Sequence, residues 1–303
     1  MTGPLPDDTR GIIDPAAMMR HVDFARFPAG DVLDGIVGWF WSVAWDLPAG
    51  TALDQQVLNH PAGNISIGTL DDAGIPLDPP QGRVYGVMTG LSHRHLTERG
   101  WTVAARTTVG GLGVIIGAPA RTAADAQLTL TEALTGIDGP GVVADVCAET
   151  DNEARIAVLR RALEELVCHR DPALVAEARD VRKVAAIAEH DRSVCRVEQL
   201  AEAAGTSIRT LQRLFDTHVG ITPSFVIRRW RIIEAAEAAR AAIDGGRHWR
   251  GWATVAAELG YADQAHLTRD FRTHLGTSPS AYLARATRRA SEPGRERPDH
   301  SAT

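Results

Sequence analysis

The chain has 303 residues, 44% of them hydrophobic and 23% charged, an ordinary balance for a globular protein and a length that allows two cores. Its net charge of -6 is unevenly spread: residues 1–192 carry 16 Arg/Lys against 26 Asp/Glu, residues 193–290 carry 14 against 9, and residues 291–303 carry 2 against 3. No run of 18 apolar residues exists, and Cys147, Cys168 and Cys195 stand singly, which excludes a bilayer-spanning helix, a disulfide framework and a Cys-x-x-Cys zinc site.

Residues 1–21 are rich in Asp, Pro and Gly and lack the charged-then-apolar layout of a signal peptide, so a mobile start and a cytoplasmic location are expected. The segment 31–45, DVLDGIVGWFWSVAW, is aromatic and β-branched and predicts one or two strands. Alternation sets Trp39 and Trp41 on one face and Phe40 on the other. Such rings suit either a core or a ligand cavity, and Trp39 and Trp41 are the candidate effector-pocket residues. Residues 56–68 read as strand, Pro-Ala-Gly-Asn turn and strand; 83–90 and 101–117 add further strands, with Val114, Ile115 and Ile116 a buried run. Residues 22–118 therefore predict a small β barrel or sandwich.

Catalytic signatures are not found in this half. His93-x-His95 has a spacing used by metal sites, but no third ligand stands at a fitting distance, and 93–100 reads as a polar loop between strands. Gly110, Gly111 and Gly113 read as a strand bend, because no helix is expected after them. No nucleophile elbow or phosphate-binding loop occurs. No catalytic residue, metal or cofactor is expected.

From Ala120 the composition turns helical, with helices predicted over 123–134, 153–168 and 173–190. In the second, Ile156, Leu159, Leu163, Leu166 and Val167 form one apolar stripe, fit either to pack on the β region or to join two copies of the chain. Residues 224–243 contain neither Pro nor Gly and predict one continuous helix, roughly 30 Å long at 1.5 Å per residue. Arg228, Arg229 and Arg231 on it are read as solvated charges or phosphate contacts.

Two copies of one pattern flank that helix. Leu211, Phe215, His218, Gly220 and Pro223 recur 56 residues later as Leu267, Phe271, His274, Gly276 and Pro279, while Gly205 recurs 55 later as Gly260. Each copy reads as helix, tight turn, helix. Ser207 and Asp263 can cap the second helices, whose apolar faces are Ile208, Leu211, Leu214 and Phe215 in one, and Leu267, Phe271 and Leu275 in the other. Arg209, Gln212, Arg213 and Asp216 then form an outward stripe in the first, and Gln264, Ala265, Thr268, Arg269 and Arg272 in the second. Arg forks to guanine and Gln to adenine in the major groove.

The duplicated unit, with its Leu-x-Arg-x-Phe core and Gly-x-Thr/Ser-Pro close, resembles the AraC/XylS family of transcription regulators over about residues 193–290. Leu267, where the family usually has an aromatic, and the Gly- and Trp-rich stretch 245–252 depart from the pattern. His60-Pro61-Ala62-Gly63 is similar to a turn found in some N-terminal domains of that family. The resemblance implies an α+β chain: a mobile start at 1–21, a β-rich sensor or dimerisation domain with C-terminal helices at 22–192, an all-α domain of two helix-turn-helix units at 193–290, and a disordered tail at 291–303. It implies that Arg209, Gln212, Arg213, Gln264, Thr268 and Arg269 contact DNA. The expected partners are double-stranded DNA, a small-molecule effector, RNA polymerase and a second copy of the chain, with no membrane. Two competing readings are an alkyl-transfer repair enzyme using a reactive cysteine, and a regulator whose N-terminal half only dimerises.

Overall fold

The computed structural model describes residue 12 and residues 18–71, 73–244 and 249–291. Expectations for the remainder of 1–17, for 292–303 and for Gly245 to His248 lie outside these residues.

Among the described residues there are eight strands, seven of them ahead of the helix at Leu112–Ile116 and β8 after it: β1 (Val22–Pro28), β2 (Val37–Asp46), β3 (Ala52–Leu58), β4 (Asn64–Leu70), β5 (Pro76–Tyr85), β6 (Leu91–Thr97), β7 (Arg99–Thr107) and β8 (Gln127–Thr129). Six of them form an antiparallel sheet in the order β1-β2-β7-β4-β5-β8, and β3 pairs with β6 in a second sheet. The helices are α1 (Leu112–Ile116), α2 (Leu130–Ala133), α3 (Gly139–Ala148), α4 (Asn152–Cys168), α5 (Pro172–His190), α6 (Val197–Ala203), α7 (Ile208–His218), α8 (Pro223–Asp244), α9 (Trp252–Glu258), α10 (Gln264–Leu275) and α11 (Pro279–Ser291). A β-rich N-terminal region followed by an all-helical C-terminal region is the α+β layout expected from the sequence.

Period-two alternation in β2 divides its rings as predicted. Phe40 is fully buried on the face that carries Leu159 and Leu163 of α4, while Trp39 and Trp41 look into a cavity on the other. Helix α4 lies on β2 and β7, and its stripe of Ile156, Leu159, Leu163, Leu166 and Val167 is buried there. Each such side chain stabilises by about 1.5–3 kcal/mol when withdrawn from water. Of the two uses open to that stripe, packing on the β region is the one realised.

The strand, turn and strand read over 56–68 are present as β3 and β4, which enter different sheets. Several local expectations are corrected. Residues 93–100, expected as a polar loop between strands, instead fall largely in β6 and the start of β7, and β6 pairs along β3 in register from Leu58↔Leu91 to Ala52↔Thr97. The glycine cluster opens the short helix α1 instead of bending a strand, and Val114, Ile115 and Ile116 are buried within it. The helix expected over 123–134 shrinks to a 3-10 turn at Ala120–Ala123, strand β8 and the single turn of α2, which Thr129 and Glu132 cap reciprocally.

The 22-residue helix α8 runs through the middle of the C-terminal region, and Val226, Ile227, Trp230, Ile232, Ile233 and Ala236 bury it on several sides. Arg228 is exposed, but Arg229 and Arg231 are not the solvated or phosphate-facing charges expected: they are 0% and 3% exposed. Arg231 donates to the carbonyls of Val194 at 2.6 Å and Asp191 at 3.3 Å, and so closes the loop ahead of α6.

Candidate nucleic-acid interface and effector cavity

Each half of the duplication folds as a short helix, a left-handed glycine and a longer helix. Gly205 has φ +61° and Gly260 φ +74°, a conformation that lets α6 and α9 stop and the chain turn. At Gly260 there is a second reason, since a Cβ would fall 2.3 Å from the sulfur of Cys195. Ser207 then accepts from the Thr210 amide at 3.1 Å to start α7, and Asp263 accepts from the His266 amide at 2.6 Å to start α10. Leu211 and Phe215 in α7, and Leu267, Phe271 and Leu275 in α10, are buried.

That inward anchoring fixes what faces out. Arg209, Gln212 and Arg213 are exposed on α7, as are Gln264 and Arg269 on α10; Thr268 is half-buried, with its hydroxyl on the Gln264 carbonyl at 2.8 Å. Two polar, arginine-bearing stripes thus project from the two longer helices, and α8 joins their units. The Trp-rich stretch also finds its role: Trp252 opens α9 and packs edge-on to Trp249 at 4.8 Å and to Phe271 at 5.5 Å.

His274 follows α10 inward and lies 4.7 Å from the Phe225 ring, 2% exposed. Burial, reinforced by the charges of Arg229 and Arg228, pushes its pKa down from 6.5 to about 3. A group depressed on folding stabilises fully above its unfolded value and loses that contribution as pH falls towards the folded one. Stability of the C-terminal region is therefore expected to decline from about pH 6.5 downward. Urea unfolding at several pH values should show a shallower decline for His274→Gln; equal slopes would place the titration elsewhere.

In the N-terminal region the two sheets enclose a cavity of about 260 Å³. Its wall includes Phe24, Trp39, Trp41, Val43 and Trp45 from the large sheet, and Gln55, Val57 and Leu96 from the small one. Trp39 lies between the guanidinium carbons of Arg26 and Arg106, 3.8 and 4.0 Å from its ring centre. Trp41 donates to the Asn64 amide oxygen at 3.1 Å. Both predicted pocket residues are thus in the cavity, and the arginines beside them were not foreseen.

The sequence also gave no sign of the joint between this cavity and α8. His60, in the cavity wall, packs edge-on against Trp39 at 6.3 Å and against Trp230 of α8 at 5.1 Å. The neighbouring Arg229 reaches out of α8 to the N-terminal region, donating to the carbonyls of Asn59 at 3.0 Å, Met88 at 3.4 Å and Thr89. Arg285 of α11 adds a bond to Gln56 at 2.5 Å.

The residues weighed for enzymatic chemistry stay apart. Burial holds the Cys147 thiol above its ordinary pKa, the opposite of activation, with Arg155 only partly countering it; Cys168 is exposed and Cys195 half-buried. His95 pairs with Asp54 at 2.6 Å on the outer strands, and no group of three potential ligands fit for a metal exists among the described residues. No helix among them is long and apolar enough to cross a membrane.

Comparison with known proteins matches this geometry in two parts. A family model described as a helix-turn-helix domain matches residues 200–285, and one described as a domain of unknown function (DUF6597) matches residues 25–129. An uncharacterised HTH-type transcriptional regulator of Haemophilus influenzae is 26% identical over 157 residues, 52% of this chain and 50% of that protein. The HTH-type transcriptional activator RhaS of Escherichia fergusonii is 30% identical over 103 residues, 34% of this chain and 35% of that one. The chain thus spans half or less of the curated relatives it matches. Among solved structures, ToxT from Vibrio cholerae aligns over 82% of this chain and 98% of its own, at 12% identity and a TM-score of 0.38.

Proposed function

Residues 200–285 form a helix-turn-helix domain of the AraC type, and on that premise we propose that the chain is a sequence-specific DNA-binding transcription regulator, controlled by a small molecule held in its N-terminal cavity. The observation that carries the first part is the pairing of two capped recognition helices, each with an outward arginine stripe, on one connector. At 22 residues and 1.5 Å each, α8 is about 33 Å long, close to the roughly 34 Å of a turn of B-DNA. Two units held by a rod of that length suit two major-groove segments on one face of the duplex. The bases are read by Arg209, Gln212 and Arg213 in one box and by Gln264, Thr268 and Arg269 in the other; the more peripheral of these touch phosphate.

The cavity supports the second part. A mostly apolar cavity that combines aromatic rings with polar and charged groups suits a small organic ligand, and its wall is shared with the contact to α8. A ligand that packs differently in two arrangements of that wall shifts the balance between them, and so changes DNA affinity without covalent chemistry.

Selection of bound sites from random duplex DNA tests the reading. Two short boxes about one helical turn apart are expected; recovery of no preferred sequence overturns it. On the selected site, Arg269→Ala is expected to lose about 1–3 kcal/mol and to relax the preference at one base pair. An equal loss on random DNA would make Arg269 a phosphate contact. For the cavity, a thermal-shift screen of small organic molecules should return a ligand whose stabilisation is lost on Trp39→Ala.

A further inference from the structure

The two recognition helices are not equally available. Of the four outward residues of α7, two are held by the N-terminal region: the Arg213 guanidinium donates to Glu177 of α5 at 3.2 Å, and the Asp216 carboxylate accepts from Arg121 at 2.6 Å. Glu177 serves a second residue of the same helix, for its other oxygen lies 2.8 Å from Nε2 of the fully buried His218. The end of α7 is also seated without clearance on α1, where a Cβ on Gly113 would fall 2.5 Å from the Thr217 carbonyl. In α10 the residue equivalent to Arg213 is Arg269. It forms no ion pair among the described residues, and neither it, Gln264 nor Thr268 bonds to the N-terminal region there.

An arginine that forks onto base edges must give up a carboxylate already on its guanidinium. A carboxylate left beside the groove is in turn repelled by the phosphates. Both effects act against DNA at α7 and at none of these three residues of α10. We propose that Glu177 is a positioning residue that withholds Arg213 from DNA, so that the N-terminal region restrains part of the first recognition helix and leaves the second free of it. This rests on the regulator reading above. In the arrangement described, the box of the first unit is read by Arg209 and Gln212 without Arg213, so both boxes are selected but the first contributes little. A displacement of α5 from α7 frees Arg213, and so strengthens binding to the first box.

The test uses the full chain and the duplex recovered by selection, beside a duplex whose first-unit box is scrambled. Glu177→Gln keeps an acceptor for His218 and removes the charge; Glu177→Ala, which removes both, serves if that chain fails to fold, and thermal melting checks each. Asp180→Asn is the control, since Asp180 lies on the same helix but pairs with Lys183 at 2.8 Å. Glu177→Gln is expected to tighten binding to the intact site about tenfold, to leave the scrambled site unchanged, and to lose its gain when combined with Arg213→Ala. A gain of equal size on both duplexes, in Asp180→Asn, or in the Arg213→Ala background, or no gain at all on a site the unaltered chain does select, overturns the proposal while leaving the regulator reading intact. If neither the unaltered chain nor Glu177→Gln selects any sequence, the regulator reading itself falls.

Discussion

Phe271→Ala is expected to destabilise the C-terminal helical region by about 3–5 kcal/mol, a large share of the stability of a small domain. The ring is 0% exposed and packs edge-on between Trp252 of α9 and Tyr282 of α11, each 5.5 Å away. Deleting it leaves a cavity bounded by two more aromatic side chains, which cannot all close in without moving the helices that carry them. Because Phe271 is the inward anchor of α10, the stripe of Gln264, Thr268 and Arg269 loses its orientation with it. Urea unfolding followed by circular dichroism measures the first effect, and affinity for a selected duplex the second. Ile208→Ala is the contrasting case: that side chain is 39% exposed, so its loss is expected to cost less than about 1 kcal/mol. Similar costs for both would show that the core around α10 is loosely packed.

What made Phe271 identifiable from sequence is that its constraint is local. Helical periodicity, a glycine at the turn and an acid or hydroxyl at the cap lie within about ten residues of each other, and the second copy repeats them. The same holds for Ser207, Asp263, Gly205 and the stripe on α4. Constraints met by remote partners were harder to read. His93 and His95 look polar and loop-like until β3 lies beside them, and Gly110 to Gly113 look like a bend until α1 follows. Glu177 is one acid among many until α7 is docked against α5.

Arg228, Arg229 and Arg231 carried no local signal that separates them. They are of one type and nearly adjacent, and α8 is buried on several sides, so Arg229 and Arg231 are both buried although they project from opposite faces of the helix. Neither residue type nor helical phase distinguishes the exposed Arg228 from them; only the docking of remote segments against α8 does.

Arg229→Ala is expected to cost about 2–4 kcal/mol, because it orphans the carbonyls of Asn59, Met88 and Thr89, at about 1–3 kcal/mol each before relaxation, and removes a buried stem. An opposing term reduces that sum. Burial already holds the guanidinium pKa down to about 10, with Asp125 only partly countering it, so removal also relieves a desolvated cation. The carbonyls win because three of them converge on one planar fork, a geometry that the single ammonium of Arg229→Lys recovers only in part. Differential scanning calorimetry of the three chains should rank them Arg, Lys, Ala; a loss under about 1 kcal/mol for Ala would mean that water replaces the fork without penalty. The functional effect extends further than the stability one. Asn59 and Met88 line the N-terminal cavity, and Trp230 beside Arg229 touches His60 in its wall. Loosening that joint should leave a cavity ligand able to stabilise the N-terminal region while its influence on DNA affinity disappears, since a ligand can shift only an equilibrium to which its site is physically connected.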